Sequence, residues 1–193
     1  MRAATSPDGR WLILDVYDYG GTTIFLDLEN KTGFIHDFNE GELDVRNAIA
    51  ITPDSKQAIV LMQEEVDDCV MSPLFLEVLE LKTKQTIKKC SLPYMFPGSE
   101  VSCQVAITPD GYYGVSTVET NIVRVWELPN CRPSQVVPIH KLDYEDYIDG
   151  LGFIPDGKLV ISGSEAGIKA WSLATGGEVQ VDEEDYQDLL IDI

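Results

Sequence analysis

Two histidines, four cysteines and 33 acidic side chains are the groups in this 193-residue chain with the chemistry to hold a metal or move a proton, and their spacing does not assemble them. His36 and His140 are far apart, and neither belongs to an H-E-x-x-H pair, so each reads as a structural or surface residue. Cys69, Cys90, Cys103 and Cys131 form no C-x-x-C pair and show no zinc-finger spacing; they read as reduced, structural thiols. Asp182-Glu183-Glu184-Asp185 has the charge for calcium but lacks the alternating ligands, glycine turn and closing bidentate acid of a calcium loop, and reads as a solvated tail. Gly163-Ser164-Glu165-Ala166-Gly167 has the glycine frame of a nucleophile elbow, with Glu165 standing where the nucleophilic serine belongs. Asp146 and Asp149 are close enough in sequence for acid–base work, but nothing marks either as a buried, perturbed carboxylate. There is no Walker loop and no dinucleotide fingerprint. The expectation is a chain without catalytic residues, cofactor or metal.

Charge narrows the partners. A formal net charge of −19 repels a phosphate backbone, so nucleic acid is excluded as an expected partner, whereas acidic clusters suit basic protein surfaces. The longest apolar runs, Ala48 to Ile51, Ala58 to Met62 and Leu159 to Ile161, fall far short of the roughly 18 to 20 residues that cross a bilayer. Met1-Arg2 is followed by Ala-Ala-Thr-Ser-Pro-Asp rather than by an apolar signal region, which makes the cytoplasm the expected compartment. On that reading Asn30-Lys31-Thr32 is a chance glycosylation sequon in a turn.

What organises the chain is a repeated turn. Ser6-Pro7-Asp8-Gly9, Thr52-Pro53-Asp54-Ser55, Thr108-Pro109-Asp110-Gly111 and Ile154-Pro155-Asp156-Gly157 each separate two apolar runs, with prolines 46, 56 and 46 residues apart. Proline presets φ, aspartate can hydrogen-bond the backbone ahead, and glycine supplies φ > 0, so Pro-Asp-Gly reverses the chain. In register, the copies give four strands apiece. A first strand ends at the turn (Ala3 to Thr5, Ala48 to Ile51, Val105 to Ile107, Leu151 to Phe153), and a second follows it (Trp11 to Leu14, Gln57 to Leu61, Tyr113 to Ser116, Leu159 to Ser162). The second runs are apolar on both faces and are expected to form the dry core. Third strands alternate with period two (Thr23 to Leu28, Phe75 to Leu81, Ile122 to Leu128, Ile168 to Leu173). Fourth strands (Gly33 to His36, Gln85 to Lys89, Gln135 to Val137, Glu178 to Val181) are read as short, polar edges. Four-strand units at this period are the pattern of propeller blades.

Trp126-Glu127 and Trp171-Ser172 close two third strands, with Leu26-Asp27 and Leu79-Glu80 at the same place in the others. With Phe153-Ile154-Pro155-Asp156-Gly157-Lys158 leading through Gly163 to Trp171, they resemble the WD-repeat β-propeller family over essentially the whole chain. The resemblance implies an all-β fold of about four four-stranded antiparallel blades, approximately 1–40, 41–95, 96–140 and 141–193, in one domain. In that family a buried His, an acidic turn residue, a Ser or Thr and the Trp form a hydrogen-bonded network within each blade. Here the expected Gly-His is missing, with Tyr144 near its place in the fourth copy, so the blades are expected to be held chiefly by apolar packing.

Four copies are few for a family that usually closes with seven. Leu189-Leu190-Ile191-Asp192-Ile193 resembles the opening strand of another blade, and no spare strand precedes the first copy, so the chain reads as part of a longer array. A dimer completing an eight-bladed ring and a compact four-bladed propeller are the alternatives, and open blade ends imply self-association. The functional expectation is a non-enzymatic scaffold that binds protein partners through its connecting loops. Tyr144, Glu145, Asp146 and Tyr147 pair phenols with carboxylates and suit a basic partner; Tyr94 and Phe96 lie between two prolines in a second loop. The rival expectation is a propeller enzyme acting on a small molecule in a central channel.

Overall fold

A computed structural model describes residues 2–16, 22–37, 45–64, 74–92, 104–119, 122–128, 130, 132–133, 148, 150–164 and 167–180. These contain strands and turns and no helix, arranged as four antiparallel four-stranded sheets whose strand order follows the chain. The first sheet is β1 (Arg2–Thr5), β2 (Trp11–Val16), β3 (Thr22–Asp27) and β4 (Thr32–Asp37). The second is β5 (Val45–Ile51), β6 (Gln57–Glu64), β7 (Leu74–Glu80) and β8 (Gln85–Leu92). The third is β9 (Val105–Ile107), β10 (Tyr113–Glu119), β11 (Ile122–Glu127) and β12 (Arg132–Pro133). The fourth is β13 (Gly150–Phe153), β14 (Leu159–Ser164), β15 (Gly167–Ser172) and β16 (Glu178–Val179). The expected four-strand unit is therefore present four times.

Register shows how the copies correspond. Leu26 faces Leu12, Leu79 faces Ala58, Trp126 faces Gly114 and Trp171 faces Val160 across the second and third strands. Two residues later, Leu28, Leu81, Leu128 and Leu173 each donate a backbone N–H to the residue before the second strand, Arg10, Lys56, Tyr112 and Lys158. The sheets are thus equivalent residue by residue, which allows their faces to be compared directly.

Strand alternation sends side chains to two faces, and the apolar residues of each face collect in a different cluster. Trp11, Ile13 and Phe25 of the first sheet pack with Ala58, Val60, Met62, Leu79 and Leu81 of the second. The other face of the second sheet, with Ala48, Ile59, Leu61, Leu76 and Val78, meets Trp126 and Leu128 of the third. Val115, Val123 and Val125 of the third meet Val160, Leu151, Phe153, Trp171 and Leu173 of the fourth, with Ile148 between them. Each sheet therefore presents a leading face, carrying the Trp126-equivalent position, to the trailing face of the sheet before it. The second strand of the second sheet is buried from Ala58 to Met62 without a break, as a sheet covered on both sides requires.

The first strands stand next to one another in series, β1 against β5, β5 against β9 and β9 against β13. No hydrophobic cluster joins the first and fourth sheets among the described residues. The equivalent leucines report the same opening: Leu81 is 1% and Leu128 5% exposed, whereas Leu28, with no sheet before it, is 50% exposed.

Two of the fourth strands differ from the short polar edges expected. β4 runs six residues and β8 eight, because Phe34 stacks on Phe25 at 4.7 Å between centroids and Cys90 packs against the core. A register shift between Val78 and Leu79 leaves Ile87 outside the ladder, and Lys88 and Lys89 beside it are exposed; bulge and charge together keep this edge from pairing further. β12 and β16 are two residues each; β16 falls within the expected Glu178 to Val181, whereas β12 lies at Arg132–Pro133, before the expected Gln135 to Val137, which is outside the described residues.

Leu61 is fully buried where the second and third sheets meet. Leu61→Ala is expected to lower stability by about 2 to 5 kcal/mol in urea unfolding, whereas Leu28→Ala at the uncovered face should cost well under about 1 kcal/mol.

Candidate functional site

The repeated turns are built from a hydroxyl and a carboxylate two residues apart. The Ser6 hydroxyl donates to Asp8 Oδ1 at 2.5 Å and accepts from the Trp11 N–H at 2.8 Å. Thr52 with Asp54 (2.7 Å) and Gln57 (3.0 Å), and Thr108 with Asp110 (2.5 Å) and Tyr113 (2.9 Å), repeat the arrangement. In each copy the aspartate also accepts the N–H of the residue two beyond it, Arg10, Lys56, Tyr112 or Lys158. Ile154 has no hydroxyl, so the fourth turn keeps only the backbone bonds and the aspartate cap.

These bonds set the electrostatics. Asp8, Asp54 and Asp110 are held below the ordinary carboxylate range first by the Ser or Thr hydroxyl, with the downstream N–H adding to it; for Asp156 the Lys158 N–H comes first. Lys56 lies 3.3 Å from Asp54 and Lys158 2.9 Å from Asp156. Arg10 instead bridges Asp27 at 2.8 Å and Glu29 at 3.0 Å, and its hydrogen bonds hold the Asp27 carboxyl far below the usual range. Asn30, the sequon residue, donates its amide to Asp27 at 2.9 Å, a structural task. Asp8, Asp27, Asp54, Asp110 and Asp156 on this rim are thus committed to turns and ion pairs.

The turns also touch one another in chain order. The Asp8 N–H donates to Ser55 Oγ at 3.2 Å. A Cβ added to Gly111 would meet Pro53 Cδ at 3.5 Å, and one added to Gly157 would meet Pro109 Cδ at 3.1 Å. The four turns form one rim, where the first-to-second and third-to-fourth strand connections all lie. Second and fourth strands end at the opposite rim. Of the segments that leave it, 17–21, 38–44, 65–73, 93–103, 134–149 and 165–166 each carry an acid and 120–121 carries none, and Lys141 is the one Lys or Arg in all of them. Tyr144, Glu145, Asp146, Tyr147, Tyr94 and Phe96 belong to these segments and lie outside the described residues, as do Glu165 and Leu189 to Ile193. The flanking strand ends, Leu92, Pro133 and Gly150, fall at this rim.

Inside two of the sheets a tryptophan faces a serine. Trp126 Nε1 donates to Ser116 Oγ at 2.8 Å with both groups buried, and Trp171 Nε1 approaches Ser162 Oγ at 3.4 Å from the equivalent register position. In the first two sheets that pair of positions is Leu26 with Leu14 and Leu79 with Val60, apolar in both cases. Packing is therefore the rule in two sheets, with a polar pair added in the other two.

Sequence spacing gave no partner for His36. Stacking of the first sheet on the second brings its Nε2 to 3.5 Å from Glu77 Oε1, and the Thr86 hydroxyl donates to the same carboxylate. Burial works to raise the Glu77 carboxyl, but the bonds from His36 and Thr86 and the charges of His36 and Lys89 outweigh it and hold the group below its ordinary range. The signal in the sequence was Glu77 in the middle of the apolar run Leu74–Leu79. A separate cavity of about 300 Å³ lies at the first strands, lined by Ala3, Ala4, Ile13, Ala48, Ile49, Gln104 and Val105. Its one polar side chain is an amide, which gives no acid–base chemistry.

No group of three or more His, Cys, Asp or Glu suited to a metal occurs among the described residues, and no described helix is long and apolar enough to cross a membrane. No protein-family model matches the chain, and no curated protein is significantly similar to it.

Two outcomes follow from this geometry. Ser116→Ala strands a buried indole N–H and is expected to cost about 1 to 3 kcal/mol in chemical denaturation, with Ser162→Ala, at the longer distance, costing less. Asp8, Asp27, Asp54, Asp110, Asp156 and Glu77 all have folded-state pKa values below their unfolded ones. Their stabilisation is present above about pH 4 and is lost as pH falls through the lowered values. Thermal melts should therefore show a Tm that drops below about pH 4, with a shallower drop in Asp27→Asn.

Proposed function

We propose that this chain is a non-enzymatic interaction module of the WD-repeat type, an array of propeller-like blades that binds protein partners with basic surfaces. The observation that carries the reading is the division between its two rims. On the Pro-Asp rim, Asp54 pairs with Lys56, Asp156 with Lys158 and Asp27 with Arg10. The segments joining strand ends at the other rim are acidic with almost no balancing base. An unbalanced acidic rim attracts and steers a basic partner, and aromatic side chains within it supply contact area. Tyr144, Glu145, Asp146 and Tyr147 are the proposed primary contact, with Tyr94 and Phe96 as a second. The Trp126–Ser116 and Trp171–Ser162 pairs support the WD-type assignment, since that family joins these residue types within a blade.

Nothing in the cavity at the first strands favours the rival enzymatic reading, because its lining offers one amide and no nucleophile, acid or base.

The test is affinity capture from lysate with the intact chain, a Tyr144→Ala/Tyr147→Ala variant and a Tyr112→Ala control on the opposite rim, where Tyr112 is exposed. Recovery of basic partners should fall at least about tenfold for the double variant, equivalent to about 1.4 kcal/mol, stay level for the control, and weaken as salt rises. Equal recovery with the double variant, or capture indifferent to salt, would contradict the reading.

A further inference from the structure

Four of the chain's 14 basic residues stand close together, as Lys82, Lys84, Lys88 and Lys89, and no Asp or Glu occurs from Leu81 to Ser99. In a chain of net charge −19 this is a local reversal of sign. Lys82 and Lys84 lie in the turn that leads into β8, and Lys88 and Lys89 lie within the strand. β8 is the last strand of the second sheet, so its outer edge has no strand beside it among the described residues. Every residue from Lys82 to Lys89 is exposed.

These ammonium groups are not neutralised where they stand. Among the described residues none of the four forms an ion pair, whereas Lys56 and Lys158 at the Pro-Asp turns each have an aspartate. Both acids of the neighbouring strand β7 are engaged elsewhere: Glu77 faces His36 and accepts from Thr86, and Glu80 accepts the Thr83 hydroxyl at 2.5 Å. Lys84 Nζ stands 5.0 Å from the centre of the Phe34 ring, across the seam in the first sheet, and Lys89 Nζ 4.7 Å from the centre of Phe75. A ring face holds an ammonium in place without cancelling its charge, so both remain available to an anion. Ile87, left outside the ladder by the register shift, is 52% exposed among them. Lysines within an edge strand protect it from pairing, but that role does not account for the pair in the turn ahead of the strand or for the exposed isoleucine.

We propose that this edge of the second sheet docks an extended acidic segment of a partner protein, its carboxylates on Lys82, Lys84, Lys88 and Lys89 and an apolar side chain against Ile87. Charge complementarity sets the sign of the occupant. β8 spans eight residues, about 26 Å at roughly 3.3 Å per residue, and so sets the length of the extended segment that lies along it. Screening sets the class. At physiological salt a short segment on these lysines is shielded from acids more than about 8 Å away, whereas a nucleic acid or an anionic bilayer spreads beyond the patch and meets the negative charge of the rest of the chain. The bulge and the row of like charges exclude a second β8, so the segment is held by side chains rather than by strand pairing. This surface is opposite in sign to the acidic rim and independent of the reading built on that rim.

Fluorescence anisotropy of a fluorescein-labelled octaglutamate peptide, titrated with the intact chain at low and at physiological salt, tests the site. Lys82→Gln/Lys88→Gln removes two charges from the patch, and Lys56→Gln/Lys158→Gln removes two from the Pro-Asp turns, so the variants change net charge equally. All four side chains are exposed, and circular dichroism checks that both variants keep their strands. Octaglutamate should bind the intact chain, more weakly as salt rises, and the patch variant should lose at least about fivefold in affinity while the turn variant stays level. A leucine placed in the middle of the peptide should tighten binding to the intact chain and give no gain with Ile87→Ser. An intact chain that does not bind octaglutamate would overturn the proposal, as would equal loss in the two double variants, which would mean a response to net charge alone. So would a leucine peptide that binds no tighter, or tighter binding of an octathymidylate oligonucleotide or of phosphatidylserine vesicles than of octaglutamate.

Discussion

A four-stranded sheet with apolar side chains on both faces has to be covered on both faces, and the whole arrangement depends on that obligation. Alternation along a strand leaves no choice: in the second sheet Ala58, Val60 and Met62 point one way and Ile59 and Leu61 the other, and both sets are buried. One neighbouring sheet satisfies one face only. Among the described residues the second and third sheets are therefore interior members of a stack, and the first and fourth each pack on one neighbouring sheet. Burial follows position rather than residue type, as Leu28 and Leu81 show: the same side chain at the same register position is half exposed in one and shielded in the other.

The Pro-Asp turns convert this stacking into a defined alignment. Their hydroxyl–carboxylate pairs close each turn locally, and the φ > 0 residue that ends the turn reaches the turn before it. Glycine takes that conformation readily, with φ of 71° at Gly9, 73° at Gly111 and 71° at Gly157. Ser55 adopts it as well, at 58°, and uses its hydroxyl to accept the Asp8 N–H, so strain at a non-glycine residue coincides with a bond between sheets. Turn chemistry and sheet order thus reinforce each other, and the rim they build is electrically balanced while the far rim is not.

Much of the architecture was legible in the chain because its signals are local. A Pro-Asp turn and the period-two run beside it are visible within a dozen residues, and they located all four first, second and third strands. What lay beyond reading is what stacking creates. His36 meets Glu77 only because the first sheet lies on the second, and no spacing between residues 41 apart predicts it. The missing Gly-His implied blades held chiefly by packing, and the Trp126–Ser116 bond adds a polar pair to that packing, because a diagonal pair on neighbouring strands needs no third member. The extents of β4 and β8 were missed since edge strands were judged by polarity, whereas Phe34 and Cys90 draw them onto the core. The proposed contact residues Tyr144 to Tyr147, Tyr94 and Phe96 came from composition alone, and their geometry lies outside the described residues.

The account rests on an open stack with two covered sheets and two half-covered ones, and amide hydrogen exchange resolved along the chain measures that most directly. At a concentration where the chain is monomeric, amides of β6, β7, β10 and β11 should exchange more slowly than those of β2, β3, β14 and β15, because interior sheets open only with the whole stack and end sheets open alone. Equal protection across all four sheets would contradict it, since that is the behaviour of a ring in which every sheet has two neighbours.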